Sequence, residues 1–151
     1  MLIVVSLLAA CGSGEGVSER LPRSPVAFAA QISINEVMVA QIDDASYFIR
    51  EAANPEIEVR WQEVEHRAVA LIASGSAMTM GGAGVNDAMW VTQPGWRDFV
   101  GKMNAASVQA LNAARDGNLI ALGSAGDNLV GACEGCHPQY KSSIPSVPTE
   151  G

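Results

Sequence analysis

The residues best suited to chemistry are gathered in one short stretch, Cys133-Glu134-Gly135-Cys136-His137, near the end of a 151-residue chain whose only other cysteine is Cys11. On a helix, Cys133 and Cys136 are three residues apart and His137 is four beyond Cys133, so all three fall on one face. Two thioether bonds from the cysteines would hold a porphyrin edge while the imidazole reaches the iron. C-x-x-C-H is the attachment signature of a covalent haem for that reason. The alternatives explain less. A thioredoxin-like pair needs a βαβ setting, and none is visible. A zinc site needs further ligands, and only His66 and Cys11 remain among the soft donors. A structural disulfide leaves His137 without a purpose.

The elements that must position this motif follow from the apolar spacing, which is helical almost throughout. The first segment is "SINEVMVAQIDDASYFIREAA". Ser33 and Glu36 form a capping box at its start, and Ile34, Met38, Ile42, Ala45, Ile49 and Ala52 recur at threes and fours. Asn54-Pro55 ends it and opens the second segment, with Asn54 as cap and Pro55 at the first helical position. That segment carries Ile57, Trp61, Val64, Ala68, Leu71 and Ile72 and is predicted to stop near Gly75. A long glycine-containing connection follows, which the spacing predicts to be an irregular crossover pinned by Met89 and Trp90. Pro94 opens the third segment, whose face runs through Trp96, Phe99, Val100, Met103, Ala106, Ala110 and Ala114 to a stop at Gly117. The fourth begins near Asn118 and aligns Leu122, Ala125, Leu129, Cys133, Cys136 and Tyr140. No stretch alternates with period two. Four amphipathic helices of about 20 residues, each ~30 Å long, predict an all-α chain: an antiparallel four-helix bundle with haem near the C-terminal helix. Aromatic residues are only 5% of the chain, so a flat bound cofactor would supply apolar volume, although Ala-rich helices also pack closely without one.

Outside the helices the sequence changes character. "MLIVVSLLAAC" is an apolar run too short to span a bilayer as a helix. It resembles the end of a bacterial lipoprotein signal, with Leu8-Ala9-Ala10-Cys11 as lipobox and Cys11 as the lipidated residue. No Lys or Arg precedes the run, unlike an ordinary secretory signal. The alternative is a plain cleaved signal with a chance cysteine; both export the chain to the periplasmic side. Residues 1–10 are therefore read as signal, 11–30 as a Gly-, Ser- and Pro-containing tether, 31–142 as the helical domain and 143–151 as a tail. Lys and Arg number 9 against 16 Asp and Glu, giving a formal charge of -7. That balance disfavours nucleic acid and an anionic membrane surface as partners. It leaves a lipid anchor as the one membrane link and permits steering towards a basic protein.

A C-terminal "CEGCHPQY" closing a four-helix pattern resembles the class II cytochrome c family, cytochrome c prime and its low-spin relatives. The resemblance covers about residues 31–142, and its most specific part is Cys133, Cys136, His137 and Tyr140 followed by Lys141. Pro138 departs from the pattern and is expected to kink the last helix. The resemblance implies one covalent haem c, His137 as proximal ligand, redox partner proteins and frequent homodimers; no nucleophile–base pair or carboxylate dyad is apparent in the sequence, so no enzymatic activity is expected. It also implies that the distal residue comes from the first helix, where low-spin members place an axial methionine; Met38 is that residue here. A His/Met pair passes electrons and raises the potential. An open, five-coordinate iron would instead bind small gases such as NO or CO. A packing role is the commoner use of methionine, and it is the expectation for Met78, Met80, Met89 and Met103. His66 is expected at the surface, Trp61 and Trp96 in the core, and Tyr47 and Phe48 as packing residues. Gly126, Gly131 and Gly135 are candidates for close approach of the porphyrin, and Arg60 or Arg67 for pairing with a propionate.

Overall fold

The computed structural model describes residues 30–141. The signal segment, Cys11, the tether up to residue 29 and the tail lie outside the described residues. Among the described residues every regular element is helical, and no helix is long and apolar enough to cross a membrane.

Helix α1 runs over 34–52. It is built of an α-helical turn Ile34–Val37, a π-helical turn Met38–Ile42 and an α-helical length Asp43–Ala52. The capping box forms as the sequence predicts: Ser33 Oγ accepts from Glu36 N, and the Glu36 carboxylate accepts from Ser33 N at 2.7 Å. Helix α2 spans Trp61–Met78, the short α3 Asp87–Trp90, α4 Pro94–Arg115 and α5 Leu119–Tyr140. Pro94 occupies the first turn of α4. Gly117, with φ +60°, takes the left-handed turn after α4 that a side chain would resist. Asn118 then caps α5 by accepting from Ala121 N.

The four long helices close a ring of contacts: α1 packs on α2 and α5, α2 on α4, and α4 on α5. The predicted faces line the interior. Ile34, Ile42, Ala45 and Ile49 of α1 meet Val64, Ala68 and Leu71 of α2, Val100, Ala106 and Ala110 of α4, and Leu122, Ala125 and Leu129 of α5, all buried. Alanines alternate with branched aliphatic residues in this interior, and the helices come close at Gly75, between α2 and α4, and at Gly126, between α1 and α5.

Two boundaries differ from the sequence expectation. Helix α2 begins at Trp61 rather than at Pro55, because Asn54 Oδ1 accepts from Glu56 N and closes a local turn. Ile57, counted on the α2 face, is 48% exposed. At the other end α2 runs past Gly75 to Met78. Gly75 is a contact point rather than a stop: a Cβ there would overlap Asn104 Oδ1 and come within 2.9 Å of Met103 Cε on α4. The crossover is correspondingly shorter and contains α3. Trp90 anchors it and is buried, whereas Met89 is 51% exposed and anchors nothing. Helix α5 continues through Pro138 to Tyr140. Proline costs the bond its N–H would make to the carbonyl four residues back, a loss confined here to the last turn.

Candidate cofactor site between the first and last helices

The distal and proximal candidates are brought to one place. An apolar cavity of about 370 Å³ lies where α1 faces the end of α5, floored by α4. Cys133, Cys136 and His137 line it from α5, and Met38 lines it from α1. The volume falls within the ~300–1,000 Å³ usual for cofactor and small-molecule sites.

Each wall has a local cause. Cys136 is buried and Cys133 half-buried because positions 129, 132, 133, 136 and 140 form the inward stripe of α5. His137, one residue beyond that stripe, is exposed at the cavity edge. Across from it, Met38 starts the π-helical turn, in which Asp43 N donates to Met38 O five residues back. A π-turn holds one more residue than an α-turn, and such turns recur at functional sites. Under the cavity, Trp90 stacks on Trp96 with ring centroids 5.3 Å apart, and Tyr140 meets Trp96 edge-on at 5.1 Å. Trp96 Nε1 donates to Met78 O at 3.3 Å, so this buried indole is satisfied.

The two thiols are free. Burial pushes the Cys136 thiol up to about 11, with the neighbouring Cys133 adding to the rise. Burial also raises the Cys133 thiol, reinforced by the carboxylates of Asp43 and Glu134. Nucleophilic and redox-active cysteines have depressed values in electropositive surroundings; this pair has the opposite environment. His66 is exposed on α2 beside Arg60, Trp61 and Glu63, outside the cavity, and cannot serve as a further donor to the cysteines.

Met78 and Met103 are buried and also line the cavity, whereas Met80 is 75% exposed outside it. The cations assigned from sequence are elsewhere. Arg67 bonds Glu63 at 2.8 Å and pairs with Asp44, and Arg60 lies over the Phe48 ring. The cations at the cavity are Arg50, at the exposed edge of α1, and Lys141. Arg50 was visible in the sequence one heptad beyond Asp43, a cavity residue, but no pattern marked that edge. Tyr47 also reaches the cavity yet is 60% exposed, not packed. Two of the three glycines, Gly126 and Gly135, serve protein contacts. A Cβ on Gly126 would stand 3.5 Å from Arg50 Cα, so this residue sets the α1–α5 approach; one on Gly135 would meet Phe99 Cε1 at 2.7 Å; Gly131 has open space around it.

The residues present fit a covalent haem. The cysteines share the cavity with an imidazole, the interior wall is apolar, Arg50 and Lys141 stand at the edge along with the carboxylates of Asp43 and Glu134, and a thioether is available from the facing helix. Compared with protein-family models, curated proteins and solved structures, the chain matches none.

Proposed function

We propose that this chain is an exported mono-haem c-type cytochrome, anchored by lipid at Cys11, whose helices form an antiparallel four-helix bundle around the haem. Its function is one-electron transfer with redox partner proteins on the periplasmic side. The observation that carries the proposal is the convergence of Cys133, Cys136 and His137 with Met38 on one apolar cavity, from two neighbouring helices.

The chain's own residues have distinct parts. The Cys133 and Cys136 thiols would hold the haem by adding S–H across its two vinyl groups, giving two thioether bonds. His137 would hold the iron through its imidazole, near the C-terminal end of α5, where the carbonyl dipoles favour positive charge. Met38 would offer a soft thioether to the iron, a ligand that favours the reduced state. Trp90, Trp96, Phe99 and Val100 keep water from the interior side. Arg50 and Lys141 stand at the cavity edge and would offer positive charge to the haem's propionates. When bound, the haem supplies the one-electron couple; the protein supplies ligation, burial and polarity. Acidic surface charge then steers a basic partner.

The test is the absorption spectrum of protein made with the c-type haem machinery: oxidised, reduced, and reduced under carbon monoxide. A low-spin spectrum indifferent to carbon monoxide is expected, turning CO-reactive in Met38→Ala. A high-spin wild type that binds carbon monoxide directly would replace electron transfer with gas binding. Cys133→Ser with Cys136→Ser is expected to abolish covalent haem, and a colourless wild type would sink the haem proposal altogether.

A further inference from the structure

The crossover between α2 and α4 contains a buried carboxylate that the haem site itself does not use. Asp87 is 2% exposed, and its Oδ2 accepts from Ile34 N and from Gly84 N, both at 2.8 Å. Ile34 N is the first N–H of α1, one of the helix-end donors that have no partner within the helix. The carboxylate also lies at the positive end of that helix. Two glycines make the room: a Cβ on Gly82 or on Gly84 would overlap the Asp87 carboxylate. The crossover peptide is further tied to the start of α1 by Ala83 N donating to Ile32 O at 2.9 Å.

This latch is one helical turn from Met38. Immediately beyond it comes the π-turn Met38–Ile42, held from outside by Ser74 Oγ of α2 donating to Gln41 Oε1 at 2.7 Å. Asp87 thus fixes the leading turn, and Ser74 fixes the far side of the π-turn. These two contacts bracket the turn that carries Met38, which lines the cavity. Three residues after Asp87, on the same short α3, Trp90 stacks against Trp96 and meets Tyr140 edge-on at 5.9 Å. One helical turn therefore grips the distal helix with its first residue and the end of the haem-bearing helix with its last.

We infer that Asp87 is a positioning residue for the distal ligand: by capping α1 and pinning it to the crossover, it sets the register that presents Met38 to the iron. The inference rests on Met38 being the sixth ligand, and its test separates the two. Without the carboxylate, the first turn of α1 opens more often, and Met38 leaves with it. A charge-assisted hydrogen bond lost from a buried site shifts such an opening equilibrium about tenfold or more.

The experiment compares holoprotein of the wild type, Asp87→Asn, Asp87→Ala and Met38→Ala. Ala110→Gly, in the α4 core away from the cavity, controls for general destabilisation. Two quantities are read: amide hydrogen exchange along 34–42 and the rate of carbon monoxide binding to reduced protein. Both Asp87 variants should speed exchange in α1 about tenfold while α4 keeps its wild-type rates, and should speed carbon monoxide binding by a similar factor. Met38→Ala should bind fastest, and Ala110→Gly should bind as the wild type does. Wild-type exchange rates in α1 of the Asp87 variants would overturn the latch, whatever the haem does. Faster exchange without faster carbon monoxide binding, in a protein where Met38→Ala does accelerate it, would reduce Asp87 to a plain helix cap and overturn the positioning role. A wild type that binds as fast as Met38→Ala would refute Met38 as ligand and with it that role, while the exchange rates still report the cap. If Asp87→Ala fails to fold, Asp87→Asn, which keeps the shape and one acceptor oxygen, decides alone.

Discussion

Glycine-to-alanine exchanges on α5 provide a graded test of the packing around the cysteine motif. Gly131 and Gly135 are both in the interior of α5, and each lowers its helix propensity by about 1 kcal/mol relative to alanine. Their surroundings differ. A Cβ on Gly131 meets nothing within 4 Å, whereas one on Gly135 stands 2.7 Å from Phe99 Cε1 and 3.5 Å from Cδ1 and Cζ. Gly131→Ala should therefore gain about 1 kcal/mol. Gly135→Ala makes the same gain but must displace a ring that also lines the cavity and lies under the Lys102 ammonium at 5.3 Å. Forcing atoms into a packed site costs about 1–3 kcal/mol, so a net loss of about 1 kcal/mol is expected. The gap of about 2 kcal/mol corresponds to roughly 1 M in the urea midpoint at an m-value of about 2 kcal/mol/M. Unfolding followed by helical circular dichroism measures it. Phe99→Ala closes the cycle: in that background Gly135→Ala should recover the full propensity gain. Equal stabilisation by Gly131→Ala and Gly135→Ala in the native background would refute the Phe99 contact, and with it the described floor of the cavity.

Two further outcomes follow from other contacts. Gly75→Ala must push Asn104 and Met103 away from α2, at about 1–3 kcal/mol, against a helix-propensity gain of about 1 kcal/mol; the deep overlap with Asn104 Oδ1 puts the expected net loss at about 1–2 kcal/mol, and a thermal midpoint at or above that of the wild type would contradict that approach. In apoprotein the folded state favours the neutral Cys136 thiol, so this contribution is whole below the unfolded thiol's pKa of about 8.5. It is lost as pH rises through the folded value of about 11. Urea midpoints from pH 8 to 11 should therefore fall less in apo Cys136→Ser than in the apo wild type, and parallel curves would show that Cys136 is not buried as described.

How much of this was legible beforehand depends on the range of the interaction involved. Local signals sufficed for four helical segments, the Ser33–Glu36 capping box, Pro94 at a helix start, Gly117 after a helix end and the inward stripe of α5. Each depends on residues within about one turn of one another, and a periodicity or a cap can be read from such neighbours. The stripe also put Cys133 and Cys136 on one side of a helix. Asn54 and Gly75 were misread because each has a local use that mimics a boundary: a turn at Asn54, and a close helix approach at Gly75 whose partner is almost thirty residues away.

The sequence alone determined which residue types are available for chemistry and that Cys133 and Cys136 share the inward side of their helix, because side-chain identity and helical period are properties of the chain. His137, expected on the same face, stands one residue beyond it and is exposed. The sequence could not determine what the helix faces meet. That Met38 shares a cavity with Cys133, Cys136 and His137, that Arg50 and Lys141 rather than Arg60 and Arg67 stand at its edge, and that Gly126 and Gly135 serve helix and ring contacts were decided by the tertiary structure. So was the use of the glycines around residue 83. In sequence they mark a loop; in the fold they make space for the Asp87 carboxylate at the start of a helix more than fifty residues upstream. Such pairings arise when apolar faces are buried together, and the polar groups carried inside must find partners wherever packing leaves them.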